Sequence, residues 1–217
     1  MEIIDSSSGA CLSVGRPAAF LYNLCKQMLQ MWGELGATPV WLPSMHKSQI
    51  SHPMSVGSEH CSGCLTHAAC LSLLDSLNSA EPLIFGGFGV VHRQEPLRNL
   101  DPRIRLEAFT VAETVIVGDS KYCSEMYSVV KKIQTEVVRA YVPNCTWEYA
   151  KDAFATGIRG KEELIVRRGG LRVALGSAND HGNFFLSRRK ILGESRCFGI
   201  GLERLQWAVE ESEEIIQ

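Results

Sequence analysis

The sequence predicts an α+β fold, an antiparallel sheet flanked by helices, and three observations carry that prediction. Two stretches repeat apolar residues at helical spacing, and a series of β-branched runs bounded by turn residues lies between and after them. No internal repeat, low-complexity tract or long linker interrupts the 217 residues, so 1–217 is assigned to a single domain.

The elements follow in order. Arg16-Pro17 opens the first helix, which carries Phe20, Leu24, Met28, Trp32 and Leu35 on one stripe and closes at Gly36. Thr38-Pro-Val-Trp-Leu-Pro43 reads as a strand ending in proline. The stretch 85–95 passes from a glycine-loosened apolar run into His92, Arg93 and Glu95. The stretch 105–117 is a second strand, with Phe109 and Glu113 on one face by their even spacing. Between them, 96–103 holds two prolines and two arginines, a basic hairpin tip. Guanidinium forks grip phosphate oxygens and an aromatic face covers a base, so this hairpin suits a nucleoside triphosphate. A helix over 119–141 follows, apolar at Met126, Val129, Val130, Ile133, Val137 and Val138, with an acidic and serine-containing cap. Strands are expected near 146–149, 163–168, 171–175 and 183–191, then a last helix over 202–214.

Composition narrows the class. With 45% hydrophobic and 21% charged residues the chain can bury one sizeable core, and a formal charge of −2 offers no general attraction to nucleic acid. No apolar run approaches the ~18 residues of a membrane span, and the Met-Glu-Ile-Ile-Asp start lacks a basic signal-peptide region, so the expectation is cytoplasmic with no membrane partner. Eight cysteines in such a chain favour reduced thiols or metal ligands over disulfides. Taken locally, Cys61, Cys64, His67 and Cys70 could close a structural zinc site.

Three segments in this order resemble the motifs of class II aminoacyl-tRNA synthetases. Residues 16–43 are similar to motif 1, 85–117 to motif 2, and 197–208, with Cys197-Phe-Gly-Ile-Gly201-Leu-Glu-Arg204, to motif 3. The resemblance implies a class II synthetase-type antiparallel sheet flanked by helices, and a homodimer formed through motif 1. It implies an ATP site of Arg93, Glu95, Arg103, Arg105, Phe109 and Arg204, in which Arg93 and Arg204 are catalytic through the phosphates and Phe109 stacks on adenine.

Within the class, the likeness is to amino acid:[carrier protein] ligases and to the atypical zinc-dependent seryl-tRNA synthetases of methanogens. Those groups hold a catalytic zinc with Cys, Glu and Cys, matched here by Cys70, Glu113 and Cys197. Three protein donors leave an open position for the substrate's α-amino group. On this reading Cys61 and Cys64 fall outside the ligand set. The run Gly176-Ser-Ala-Asn-Asp-His181-Gly182-Asn-Phe-Phe-Leu-Ser-Arg188-Arg189 resembles a seryl-type strand and loop, which puts Ser177, Asn179 and His181 with Glu113 around the amino acid.

The magnesium-binding glutamate of the seryl enzymes has Ala174 at the matching position, so Asp180 or Glu194 is the expected substitute, or nucleotide handling differs. With the three resembled motifs spread over 16–208, no separate tRNA-binding domain is expected. The reading is therefore an ATP- and Mg²⁺-dependent amino-acid ligase, zinc-assisted, that delivers an aminoacyl group to an acyl or peptidyl carrier protein. tRNA ranks behind the carrier protein as acceptor. Seryl-tRNA synthetase-like acylation, amide-forming transfer to a small acceptor, and a non-catalytic regulatory paralogue are the alternatives.

Overall fold

Helix α1 (Arg16–Glu34) forms where proline presets the first turn and Leu24, Met28, Met31 and Trp32 bury one stripe. It stops at Gly36, whose φ of 63° lets the chain reverse. The Gly36 amide donates to Gly33 O at 3.1 Å and the Ala37 amide to Trp32 O at 2.8 Å, a paired C-terminal cap that satisfies two helix carbonyls.

The computed structural model describes residues 4–5, 11–46, 56–57, 64–94, 100–101, 104–151 and 157–214. Among them, seven strands form one sheet: β1 (Thr38–Trp41), β2 (Leu83–His92), β3 (Ala108–Gly118), β4 (Thr146–Tyr149), β5 (Gly160–Arg168), β6 (Leu171–Gly182) and β7 (Glu194–Gly201). Their order across the sheet is β1-β2-β3-β7-β6-β5-β4. Five neighbouring pairs are antiparallel as expected, while β1 runs parallel to β2, with Thr38 opposite Phe85. The long connection from Trp41 to Leu83 allows that return in the same direction. Short two-residue ladders join Ile4–Asp5 to Cys11–Leu12, and Cys64–Leu65 to Met45–His46 and Val56–Gly57.

The fold is α+β, with its two sheet faces differently covered. On one face lie α1, α3 (Ser120–Arg139) and α5 (Leu202–Glu214), which close a core containing Leu24, Met28, Trp32, Val138, Ile200, Leu205 and Trp207. Burial of each such side chain contributes roughly 1.5–3 kcal/mol. Asp119 caps α3 by accepting from the Tyr122 amide at 2.7 Å, as its sequence predicts. Inside this core, Thr114 Oγ1 accepts from Trp32 Nε1 at 2.7 Å and from Gln134 Nε2 at 2.8 Å, pinning α1 and α3 to β3.

The other face carries α2 (Cys70–Leu74) and α4 (Phe184–Arg188), with Leu71, Leu74, Phe185 and Leu186 packed beside Val115 and Val117. Here the expected strand over 183–191 is corrected to a helix. The Ser187 amide donates to Asn183 O at 2.8 Å, so this stretch closes its hydrogen bonds within one turn instead of across a ladder. The preceding strand instead runs on to Gly182. No helix among the described residues is long and apolar enough to cross a membrane.

Candidate functional site

Between α2, the hairpin β2–β3 and the outer strands lies a cleft of about 710 Å³ of empty space, its open mouth included. Its floor is the sheet face formed by Phe109, Val111 and Glu113 of β3, Cys197 and Gly199 of β7, and Ser177 and Asn179 of β6. Period-two alternation puts these residues on one side and Ala112 and Thr114 on the other.

One end of the cleft is built around Phe109. Arg93, just beyond β2, holds its guanidinium carbon 5.1 Å from the ring centroid, and its Nε donates to His67 O at 3.4 Å. Arg204, in the first turn of α5, lies 5.8 Å from the same ring. Its Nε donates to Ile104 O at 2.6 Å and its Nη1 to Ala174 O at 3.1 Å. The neighbouring Glu203 accepts from the Thr110 amide with both oxygens, at 2.8 and 3.0 Å, so the helix start is fastened to the strand that carries Phe109. Glu203 was not singled out by its sequence position, and burial pushes its carboxyl above the usual range.

One member of the expected ATP set is not brought here. Arg105 is exposed and does not line the cleft; its backbone bridges to Asp101. Glu95 and Arg103 lie outside the described residues, as does Cys61. The carboxylates expected to replace the missing magnesium ligand are also elsewhere. Asp180 pairs with Arg196 at 3.2 Å and Glu194 with Arg159 at 2.6 Å, and neither faces the cleft. Alternation along β6 sends Asp180 to the opposite side from Ser177 and Asn179. Glu163 of β5, opposite Ser177 in the ladder, does line the cleft, beside Lys161 at 2.9 Å.

The other end is deeply buried and rich in metal-capable atoms. Cys70 begins α2, Cys197 sits in β7, and His181 occupies a register shift between β6 and β7, where Asp180 pairs with Arg196 but Gly182 with Ser195. One ligand atom from each of Cys70, His181 and Cys197 lies within 4.8 Å of the other two. The two thiols are hydrogen-bonded to each other, and Glu113 reaches Cys197 from β3. Gly199, opposite Glu113, makes room for that carboxylate: a Cβ there would stand 2.8 Å from Oε2. Asn179 Nδ2 approaches Cys197 Sγ at 3.5 Å and Ser177 Oγ at 3.3 Å, while Asn179 Oδ1 is buried without a hydrogen bond.

Electrostatics at this end follow from burial. It pushes the Glu113 carboxyl up to about 7, against the opposing pull of Cys197 and Arg93. It also drives the Cys197 thiol well above its ordinary value. For Cys70 the bond from Cys197 pulls down, yet burial and the Glu113 charge outweigh it and the net shift is upward. Burial pushes His181 down to about 3, so its imidazole is neutral. Two thiols and a neutral imidazole in one dry recess are the soft donor set that zinc takes, and a cation there would offset the unfavourable burial of thiolates. The residues therefore fit a zinc ion.

Cys70, Glu113, Cys197, Ser177 and Asn179, named from sequence, thus converge on one wall with His181 behind them. Cys64 is free and half-buried, outside the donor cluster.

No family model and no curated protein matches this chain. Solved structures do. A prolyl-tRNA synthetase from Giardia lamblia in complex with prolyl-adenylate superposes with a TM-score of 0.76 at 14% identity, over 93% of this chain and 48% of that one. A cytoplasmic serine-tRNA ligase from Naegleria fowleri in complex with AMP gives 0.76 at 12%, over 93% and 50%. A seryl-tRNA synthetase from Pyrococcus horikoshii complexed with ATP gives 0.77 at 14%, over 95% and 54%. The chain spans about half the length of these structures, and its fold is that of a class II aminoacyl-tRNA synthetase-like core.

Proposed function

We propose that this chain activates an amino acid with ATP and Mg²⁺ as an aminoacyl adenylate, with zinc-assisted recognition of the amino group, and passes it to the phosphopantetheine thiol of a carrier protein. The observation that carries the reading is one continuous cleft with Arg93, Phe109 and Arg204 at one end and Cys70, Glu113 and Cys197 at the other. Similar folds solved with ATP, AMP and prolyl-adenylate support nucleotide chemistry in a cleft of this kind.

In the first step a carboxylate oxygen of the amino acid attacks the α-phosphorus, a new P–O bond forms, the α–β bridge breaks and pyrophosphate leaves. Arg93 and Arg204 stabilise the charge that develops on the phosphates, and Phe109 holds the base. In the second step the acceptor's sulfur attacks the acyl carbon, AMP departs and the thiol proton goes to solvent. The protein supplies orientation and charge and contributes no nucleophile. Zinc, when bound, holds an amine in its neutral form. Asn179 Oδ1, buried and lacking a hydrogen bond, supports an amino-group donor at that end. For the homodimer, the support is that Tyr22, Leu29 and Trp41 of α1 and β1 are 72%, 55% and 86% exposed, large apolar surface that a motif 1 partner would cover.

The test is amino-acid-dependent exchange of pyrophosphate into ATP, followed by transfer to carrier protein and, in parallel, to tRNA. Thioester formation supports the reading. Charging of tRNA with no thioester would replace the acceptor, and absence of exchange with every amino acid would make the chain a non-catalytic relative.

A further inference from the structure

The donor expected beside Cys70 and Cys197 is Glu113, but the geometry places an imidazole there. We infer that Cys70, His181 and Cys197 are the three protein donors of the metal site, and that Glu113 faces the amino group of the substrate instead. This deepens the reading above and rests on it only for the role of Glu113.

The ligand atoms of Cys70, His181 and Cys197 are mutually within 4.8 Å and all three residues are buried. Glu113 is outside that set, although it touches Cys197. Its second interaction is with the Arg93 charge, toward the nucleotide end. Glu113 lines the same cleft as Cys197 and Arg93, so its carboxylate is placed to meet the amino group of a bound amino acid whose own carboxylate points at ATP.

His181 reaches the sulfurs through a local device. Strand β6 carries one extra residue against β7 between the pairs Asp180–Arg196 and Gly182–Ser195, and His181 is that residue. Bulges re-aim a side chain, and here the ring is turned into the recess, edge-on to Phe185 with centroids 4.9 Å apart. Nδ1 lies 2.9 Å from Ser195 Oγ, which leaves Nε2 as the metal-facing nitrogen. An outer partner that fixes the ring of a metal-binding histidine in this way is the usual arrangement. A histidine that served packing alone would not need two free cysteine sulfurs within the same 4.8 Å.

The experiment titrates Zn²⁺ alone into the full-length chain, with the wild type and four variants, and records X-ray absorption of the zinc-loaded wild type. The spectrum is expected to show two sulfur donors and imidazole scattering. His181→Asn and Cys70→Ser should lose at least a hundredfold in zinc affinity. Ser195→Ala, which keeps the donors and removes the partner of Nδ1, should lose about tenfold. Glu113→Gln should bind zinc within about threefold of wild type while its Michaelis constant for the amino acid rises. A spectrum without imidazole, or His181→Asn binding zinc like wild type, overturns the assignment. So does tenfold or greater loss of zinc in Glu113→Gln. Failure of pyrophosphate exchange with every amino acid would sink the proposed function and leave the zinc results standing.

Discussion

The two ends of the cleft solve opposite problems. At the arginine end the charges are permanent and partly solvated: Arg93 and Arg204 flank one aromatic ring, and Arg204 is steadied by the carbonyls of Ile104 and Ala174. At the cysteine end the groups are fully buried, and burial holds thiols, carboxyl and imidazole toward their neutral forms. The difference teaches that one end is ready for an anion as it stands, whereas the other becomes an electrostatic partner only when a cation or an amine enters.

That contrast can be broken end by end. The largest expected effect is at the arginine end, where Arg93→Ala removes a preorganised guanidinium and should lower exchange by about a hundred- to a thousandfold with the fold intact. Stopped exchange assays and circular dichroism on the same samples check both halves. Next, Thr114→Val on the covered face leaves the Trp32 and Gln134 donors buried without their acceptor and should destabilise the chain by roughly 3 kcal/mol, read from urea unfolding.

A smaller effect belongs to the cysteine end alone. Gly199→Ala pushes a methyl into the place of the Glu113 carboxylate, and the Michaelis constant for the amino acid should rise about tenfold, near 1.4 kcal/mol, with that for ATP unchanged. Equal changes for both substrates would mean that the two ends are not separable. The smallest is a pH effect at Glu203. Its folded carboxyl is held above the ordinary value, so the folded state binds the proton more tightly and stability falls as pH rises from the usual carboxylate range through that raised value. Glu203→Gln should flatten this slope in thermal melts taken from the usual carboxylate range upward.

Much of this was legible in the chain. The cap at Asp119, the stop at Gly36 and the strand over 146–149 follow from local chemistry that the structure keeps. Cys70, Glu113 and Cys197 could be named because they match the ligand positions of the family that the sequence resembles. What sequence does not carry is the offset between strands. His181 was named beside Ser177 and Asn179, but its closeness to the two sulfurs depends on how β6 and β7 register across the bulge, and no single-strand pattern reports that. Glu194 pairs with Arg159 outside the cleft, a partnership no local pattern reports, whereas alternation along β6 already turns Asp180 away. The helix over Phe184–Arg188 was missed because a short apolar run reads equally as strand or helix until its neighbours are known.

The central claim is that one cleft joins an amino acid to ATP, and its most direct measurement is radiolabelled pyrophosphate exchange into ATP across all the standard amino acids, with Mg²⁺ and zinc-loaded protein. The account predicts exchange that depends on one amino acid or a small group of them, and that disappears in Arg93→Ala. Exchange absent with every amino acid, or unchanged in Arg93→Ala, would contradict it.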